Sequence, residues 1–153
     1  MELFDSHAHY DDEKFNEDRD FIINEIYKSG VTKFVSAGYS LDSSKKGLEI
    51  AQKYDYVFTT SGISPNDIPE TKEILDKQLI EIEKLANSNK KVVAIGEIGL
   101  DYYWDDVPSD KQKEVFQQQV DLAKKHQKPI IIHCRDAYED TYEVLKKNGH
   151  PGI

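Results

Sequence analysis

The chain has 153 residues and a formal net charge of −9, from 29 acidic against 20 basic side chains. That balance excludes a broad cationic surface of the kind that grips nucleic acid through many lysines and arginines. With 38% hydrophobic and 32% charged residues the composition is that of one globular domain, and no run of about 18 apolar residues could span a membrane.

In chain order, short apolar or β-branched runs alternate with amphipathic stretches. The start, Met1-Glu2-Leu3-Phe4-Asp5, lacks the basic and apolar regions of a secretory signal. The first run, Leu3-Phe4, leads into "FDSHAHYDD". His7 and His9 are two positions apart, so on an extended segment their imidazoles leave one face and can share a cation. A loop with two exposed histidines is the alternative that this stretch alone leaves open. Ile22 and Ile26 predict a first helix, with Gly30 where a helix-ending glycine belongs. Residues 33–37 predict a second strand, Leu48 and Ala51 a second helix, and residues 56–60 a third strand. The turn at 61–67 follows. Asp67 is its one strong ligand type, and substrate contact or simple turn chemistry is all that it supports.

Leu75, Leu79, Ile82 and Ala86 share one face of a third helix. Residues 91–95 predict a fourth strand, and Glu97 follows it between Gly96 and Gly99. A lone charge there is too costly to bury, so it must bind metal or pair; an ion pair with Arg135 is the competing reading. Asp101 and Tyr102 could line the mouth of a site, whereas Tyr103 and Trp104 read as packing residues. Ser109, with Pro108 before it and Gln112 three residues on, predicts a capping box. It opens a fourth helix through Phe116, Val120 and Ala123. His126 complements the dipole at that helix's end and is assigned no chemistry.

Residues 129–132 predict a fifth strand. His133 follows it. Cys134 falls on the opposite face as a core thiol, and as the only cysteine it leaves no internal disulfide, which fits a cytoplasmic protein. Arg135 shares the face of His133, where it can hold an anion or an ion pair. Tyr138, Tyr142 and Leu145 predict a last helix with Gly149 at its end, and His150 reads as loop.

Five strand–helix units in strict alternation predict an α/β fold with parallel strands buried on both faces. Alternation alone does not choose between an open sheet and a barrel. Every polar candidate stands at the C-terminal end of a predicted strand, the edge where parallel α/β folds build sites. His7, His9, Glu97 and His133 therefore make a credible ligand set for zinc, manganese, iron or a similar divalent ion.

Taken together, "DSHAHYDD", "GISPND", "AIGEIGLDYY" and "IIIHCRDA" resemble the TatD family of metal-dependent hydrolases, from residue 3 to the end of the chain. The resemblance implies a (β/α) barrel of TIM type that hydrolyses phosphodiester bonds in DNA with one or two divalent metals (Zn, Mg, Mn or similar). It makes His7 and His9 ligands of a first metal and His133 a ligand of a second. Glu97 becomes the carboxylate shared by both, and so the catalytic residue. Arg135, Asp101 and Tyr102 are the expected substrate contacts, with DNA or an oligonucleotide as substrate. Ser64 and Asn66 depart from the family's "GIHPH"-like turn, so a substrate role for that turn is not carried over.

The family's histidine at the end of a sixth strand, and its late aspartate, have no counterpart here. A complete barrel takes about 250 residues. Residues 1–153 thus read as the N-terminal part of a single barrel domain, about five of eight units, an incomplete barrel with its first and fifth strands as open edges. The expectation that follows is reduced or no activity alone. Self-association through those edges, or a complementing C-terminal portion, is expected with it. The alternatives are another metal-dependent phosphoesterase or amidohydrolase, which also begin with His-x-His, and a non-catalytic half-barrel interaction module.

Overall fold

Strand and helix alternate as the sequence predicts, and the order is what brings the polar residues together. A computed structural model describes residues 2–148. It contains β1 (Leu3–Ala8), α1 (Arg19–Lys28), β2 (Val31–Ser36), α2 (Leu41–Lys53) and β3 (Val57–Ser61). These are followed by α3 (Lys72–Ser88), β4 (Val92–Asp101), α4 (Ser109–Lys125), β5 (Ile130–Arg135) and α5 (Tyr138–Asn148). All strand pairs are parallel, and the strands lie in sequence order, β1-β2-β3-β4-β5. Parallel neighbours in sequence order, each joined through a helix, are the repeat of a (β/α) barrel. Every strand therefore ends at the same rim. Gly149 and His150 lie outside the described residues.

The core sits between the strands and their helices. Ile95, Ile98 and Leu100 of β4 pack against Phe116, Val120 and Ala123 of α4 and Ile130 of β5. Phe34 and Val57 pack with Ile23, Ile50 and Ala51 of α1 and α2. Leu75, Ile82, Ile63 and Val115 form a third cluster. Each such side chain contributes about 1.5–3 kcal/mol by leaving water, which fixes the helices on one side of the sheet. The other side is a groove of about 420 Å³ whose walls include Phe4, His7, Val35 and Ile131.

Four expectations need correction. Burial on both faces fails at β1, which has no buried residue and leaves Leu3 and Phe4 exposed; among the described residues β1 pairs only with β2. The buried face of α5 is not Tyr138 and Tyr142, which are exposed. It runs instead through Thr141, which is buried like Ala137 just before the helix, with Leu145 against the core. In α1 the fully buried residue is Ile23, not Ile22 or Ile26. Finally, the capping box at Ser109 does not form, and α4 starts after Pro108 without a side-chain cap. Gln112 is buried instead and clamps the end of β4: its Oε1 accepts from Asp101 N at 2.9 Å, and its Nε2 donates to Asp101 O at 2.9 Å. Gln119 does the same for Ile63, accepting from its N at 2.8 Å and donating to its O at 2.9 Å. These two amides replace water for backbone groups that no strand can pair.

Candidate metal centre

The strands run further than their apolar runs, and the site lies on the extensions. β1 continues through His7, β4 through Glu97 to Asp101, and β5 through His133 to Arg135. Two glycines permit this. Gly96 and Gly99 have φ of +151° and +146°, and a Cβ at Gly99 would stand 1.9 Å from the carbonyl oxygen of His133. Only glycine lets β4 and β5 approach so closely there, with Gly99 opposite His133 in the pairing.

Glu97 is 6% exposed and faces three imidazoles. Its Oε2 lies 3.2 Å from His7 Nε2 and 3.3 Å from His9 Nε2. Its Oε1 lies 2.7 Å from His133 Nδ1. Burial by itself would raise its pKa, but hydrogen bonds from His133, His7 and His9 outweigh it and hold the carboxyl well below the usual range. One oxygen thus serves the first strand and the other serves the fifth.

Two of the histidines, His9 and His133, are held by their second nitrogen. His9 Nδ1 donates to the Ala37 carbonyl at 3.0 Å, which turns Nε2 toward Glu97. His133 Nε2 lies 2.8 Å from Asp101 Oδ2, which turns Nδ1 toward Glu97. Such outer partners fix ring orientation and tautomer at metal sites. The hydrogen bond to Glu97 raises the pKa of His9 and of His133, against the lowering effect of burial. The loop carrying His9 is tied down as well. Buried Asp11 accepts from Ser43 Oγ at 2.5 Å and Ser36 Oγ at 3.2 Å, and Arg19 donates to the Tyr10 carbonyl at 2.6 Å and the Asp12 carbonyl at 2.9 Å.

One donor atom each from His7, His9 and Glu97 lie within 4.8 Å of one another. Two imidazoles and a carboxylate on one side of a buried anion fit a divalent cation, and His133 joins them through the other carboxylate oxygen. Beside them opens a cavity of about 340 Å³, bordered by Tyr39, Ser64, Asn66 and Asp67 together with His9, Glu97 and His133.

The remaining candidates separate. Arg135 does not pair with Glu97. It is exposed, its guanidinium lies 3.7 Å from the Tyr103 ring centroid, and among the described residues no carboxylate pairs with it. Asp101 does not line the mouth, because at 1% exposure it lies beneath it and anchors His133. Tyr102 turns away from the rim, donating to Asp140 Oδ2 on α5 at 2.6 Å; burial and that carboxylate push its pKa up. Cys134 packs with the helix-side core, as its place in β5 predicts. His126 pairs with Glu83 at 2.6 Å. Tyr103 and Trp104, read as packing residues, are exposed. Asn66 was not singled out from its spacing, yet its Nδ2 donates to Asp101 Oδ2 at 3.1 Å. Asp67 accepts from Ser64 Oγ at 2.6 Å, and burial raises its pKa.

Sequential parallel (β/α) units with a histidine–carboxylate cluster at the C-terminal rim define a barrel-type protein with a candidate metal-binding group there. Residues 4–153 match the family of TatD related DNases, and the chain belongs to that family. It is 40% identical over 151 residues to the uncharacterized metal-dependent hydrolase YabD of Bacillus subtilis, covering 99% of this chain and 58% of YabD. It is 32% identical to the 3'-5' ssDNA/RNA exonuclease TatD of Salmonella typhimurium, over 94% of this chain and 54% of that protein. The crystal structure of YjjV, a TatD homolog from Escherichia coli, superposes with a TM-score of 0.88 at 26% identity, over 97% of this chain and 57% of that one. The chain thus spans somewhat more than half the length of these relatives.

Proposed function

We propose that His7, His9, Glu97 and His133 hold one or two divalent cations, and that the centre hydrolyses phosphodiester bonds in single-stranded DNA. The observation that carries this is Glu97, a buried carboxylate with imidazoles on both oxygens. A bound divalent cation supplies hydroxide near neutral pH and offsets charge on phosphate oxygens. The chain's own residues do the rest. Ala37 and Asp101 orient His9 and His133, Glu97 divides its two oxygens between the histidines, and Gln112 holds the strand end that carries Asp101. Arg135 presents guanidinium donors at the rim, where an anionic strand must approach an acidic protein.

The name of the Salmonella relative supports single-stranded nucleic acid as the substrate class. The test is cleavage of end-labelled single-stranded oligonucleotides by protein stripped of metal and reloaded with Zn²⁺, Mn²⁺ or Mg²⁺. Cleavage that requires metal and disappears in Glu97→Ala supports the reading. Cleavage that persists with chelator, or that Glu97→Ala leaves intact, contradicts it.

A further inference from the structure

Tyr103 and Trp104 are 55% and 51% exposed, yet they are not loosely held. Asp101 Oδ1 accepts from the backbone N–H of Tyr103 at 3.0 Å and of Trp104 at 3.4 Å. The other oxygen of the same carboxylate holds His133. One buried side chain therefore fixes two exposed aromatic residues relative to the candidate metal centre. The rings meet edge to face, with centroids 4.8 Å apart. Arg135 completes the group, its guanidinium 3.7 Å from the Tyr103 centroid and 5.9 Å from that of Trp104. Lys14, also at the rim, is paired with Asp12, whereas no carboxylate among the described residues pairs with Arg135.

We infer that Tyr103, Trp104 and Arg135 form a subsite that stacks a nucleobase of a single-stranded polynucleotide next to the scissile phosphodiester. The inference rests on the nuclease reading above and names where its substrate is gripped. An exposed aromatic pair beside a cation is the combination with which proteins hold unpaired bases: the ring takes the base face, and the cation takes the backbone phosphate. Every base has such a face, so the subsite is indifferent to sequence. In a duplex those faces are already covered by neighbouring bases, so the subsite selects single strands. It also supplies a local grip to a chain whose net charge of −9 opposes polyanions.

Trp104 is the only tryptophan in the chain, so its emission reports the subsite directly. With EDTA present to prevent turnover, oligothymidylate should quench Trp104, and an abasic strand of equal length and charge should not. Anisotropy of labelled oligothymidylate should show Tyr103→Ala and Trp104→Ala each weakening binding roughly 5- to 150-fold. Tyr103→Phe and Trp104→Phe keep a ring and should bind like the parent. Equal binding of abasic and base-bearing strands overturns the inference, as does Trp104→Ala binding oligothymidylate like the parent or an absence of quenching at saturating strand. Quenching by bases in a protein that binds no Zn²⁺, Mn²⁺ or Mg²⁺ in calorimetric titration would sustain the subsite and refute the hydrolytic reading. Equal cleavage of abasic and base-bearing strands would refute the subsite alone.

Discussion

Replacing Asp101 by asparagine keeps the shape and removes one acceptor. In the parent, Oδ2 meets His133 Nε2 at 2.8 Å and Asn66 Nδ2 at 3.1 Å, while Oδ1 meets the backbone N–H groups of Tyr103 and Trp104. All four partners are donors when His133 carries its proton on Nε2. An asparagine has one oxygen and one NH₂. If the oxygen stays with His133, the NH₂ faces two backbone donors. If it turns, the NH₂ faces His133 and pushes the ring proton to Nδ1, the atom that should meet a cation. Either way at least one buried donor loses its partner, at a cost of about 1–3 kcal/mol. For a chain of this size each kcal/mol lowers Tm by about 2–4 °C. A lost outer partner of a ligating histidine typically lowers metal affinity about 10- to 100-fold. Scanning calorimetry reads the first effect, and isothermal titration with Zn²⁺ the second. An Asp101→Asn variant that melts and binds Zn²⁺ like the parent would refute the reasoning.

Three further outcomes are expected. Gly99→Ala places a methyl group against the His133 carbonyl oxygen at a positive φ and should cost at least about 1–3 kcal/mol in urea unfolding; a midpoint equal to the parent's would contradict the close approach of β4 and β5. Metal affinity should fall as pH drops through the raised pKa range of His9 and His133, because a cation must displace their protons. In the metal-free protein the sign is opposite: the stability from these raised groups is complete below the unfolded histidine pKa and is lost as pH rises through the folded values. Titrations in buffers of different ionisation enthalpy should detect the released protons, and pH-independent affinity across that range would count against both histidines as ligands. Among the described residues the edge strands β1 and β5 pair on one side only, and concentration-dependent association in sedimentation velocity is the expected consequence; a monomer at all concentrations would argue against it.

The strands and the gathering of His7, His9, Glu97 and His133 at their ends were legible because each rests on local spacing. Apolar β-branched runs mark the strand bodies. His-x-His, a glutamate between glycines, and a histidine behind three isoleucines stand where those bodies end. What spacing could not show are partnerships across the chain. Asn66 and Asp101 are 35 residues apart, and Gln119 and Ile63 are 56 apart; Gln112 fits a capping box by local spacing, and nothing local marks either glutamine as a clamp on a distant backbone. Arg135 fits as a partner for Glu97 by sequence, but three imidazoles occupy both carboxylate oxygens. Tyr102 and Tyr103 are adjacent in sequence but leave opposite sides of the chain, one toward Asp140 on α5 and the other toward Arg135. The tyrosines of α5 fit a helical period, but Thr141 turns a different face to the core.

At the centre of the account, the imidazoles of His7, His9 and His133 and the carboxylate of Glu97 bind divalent metal together. The most direct measurement is calorimetric titration of the metal-stripped protein with Zn²⁺, beside the double variant His7→Ala, His9→Ala. Binding in the parent, lost or much weakened in the variant while its circular dichroism stays that of the parent, is the predicted result. Equal binding in both proteins, or none in either, would contradict the claim.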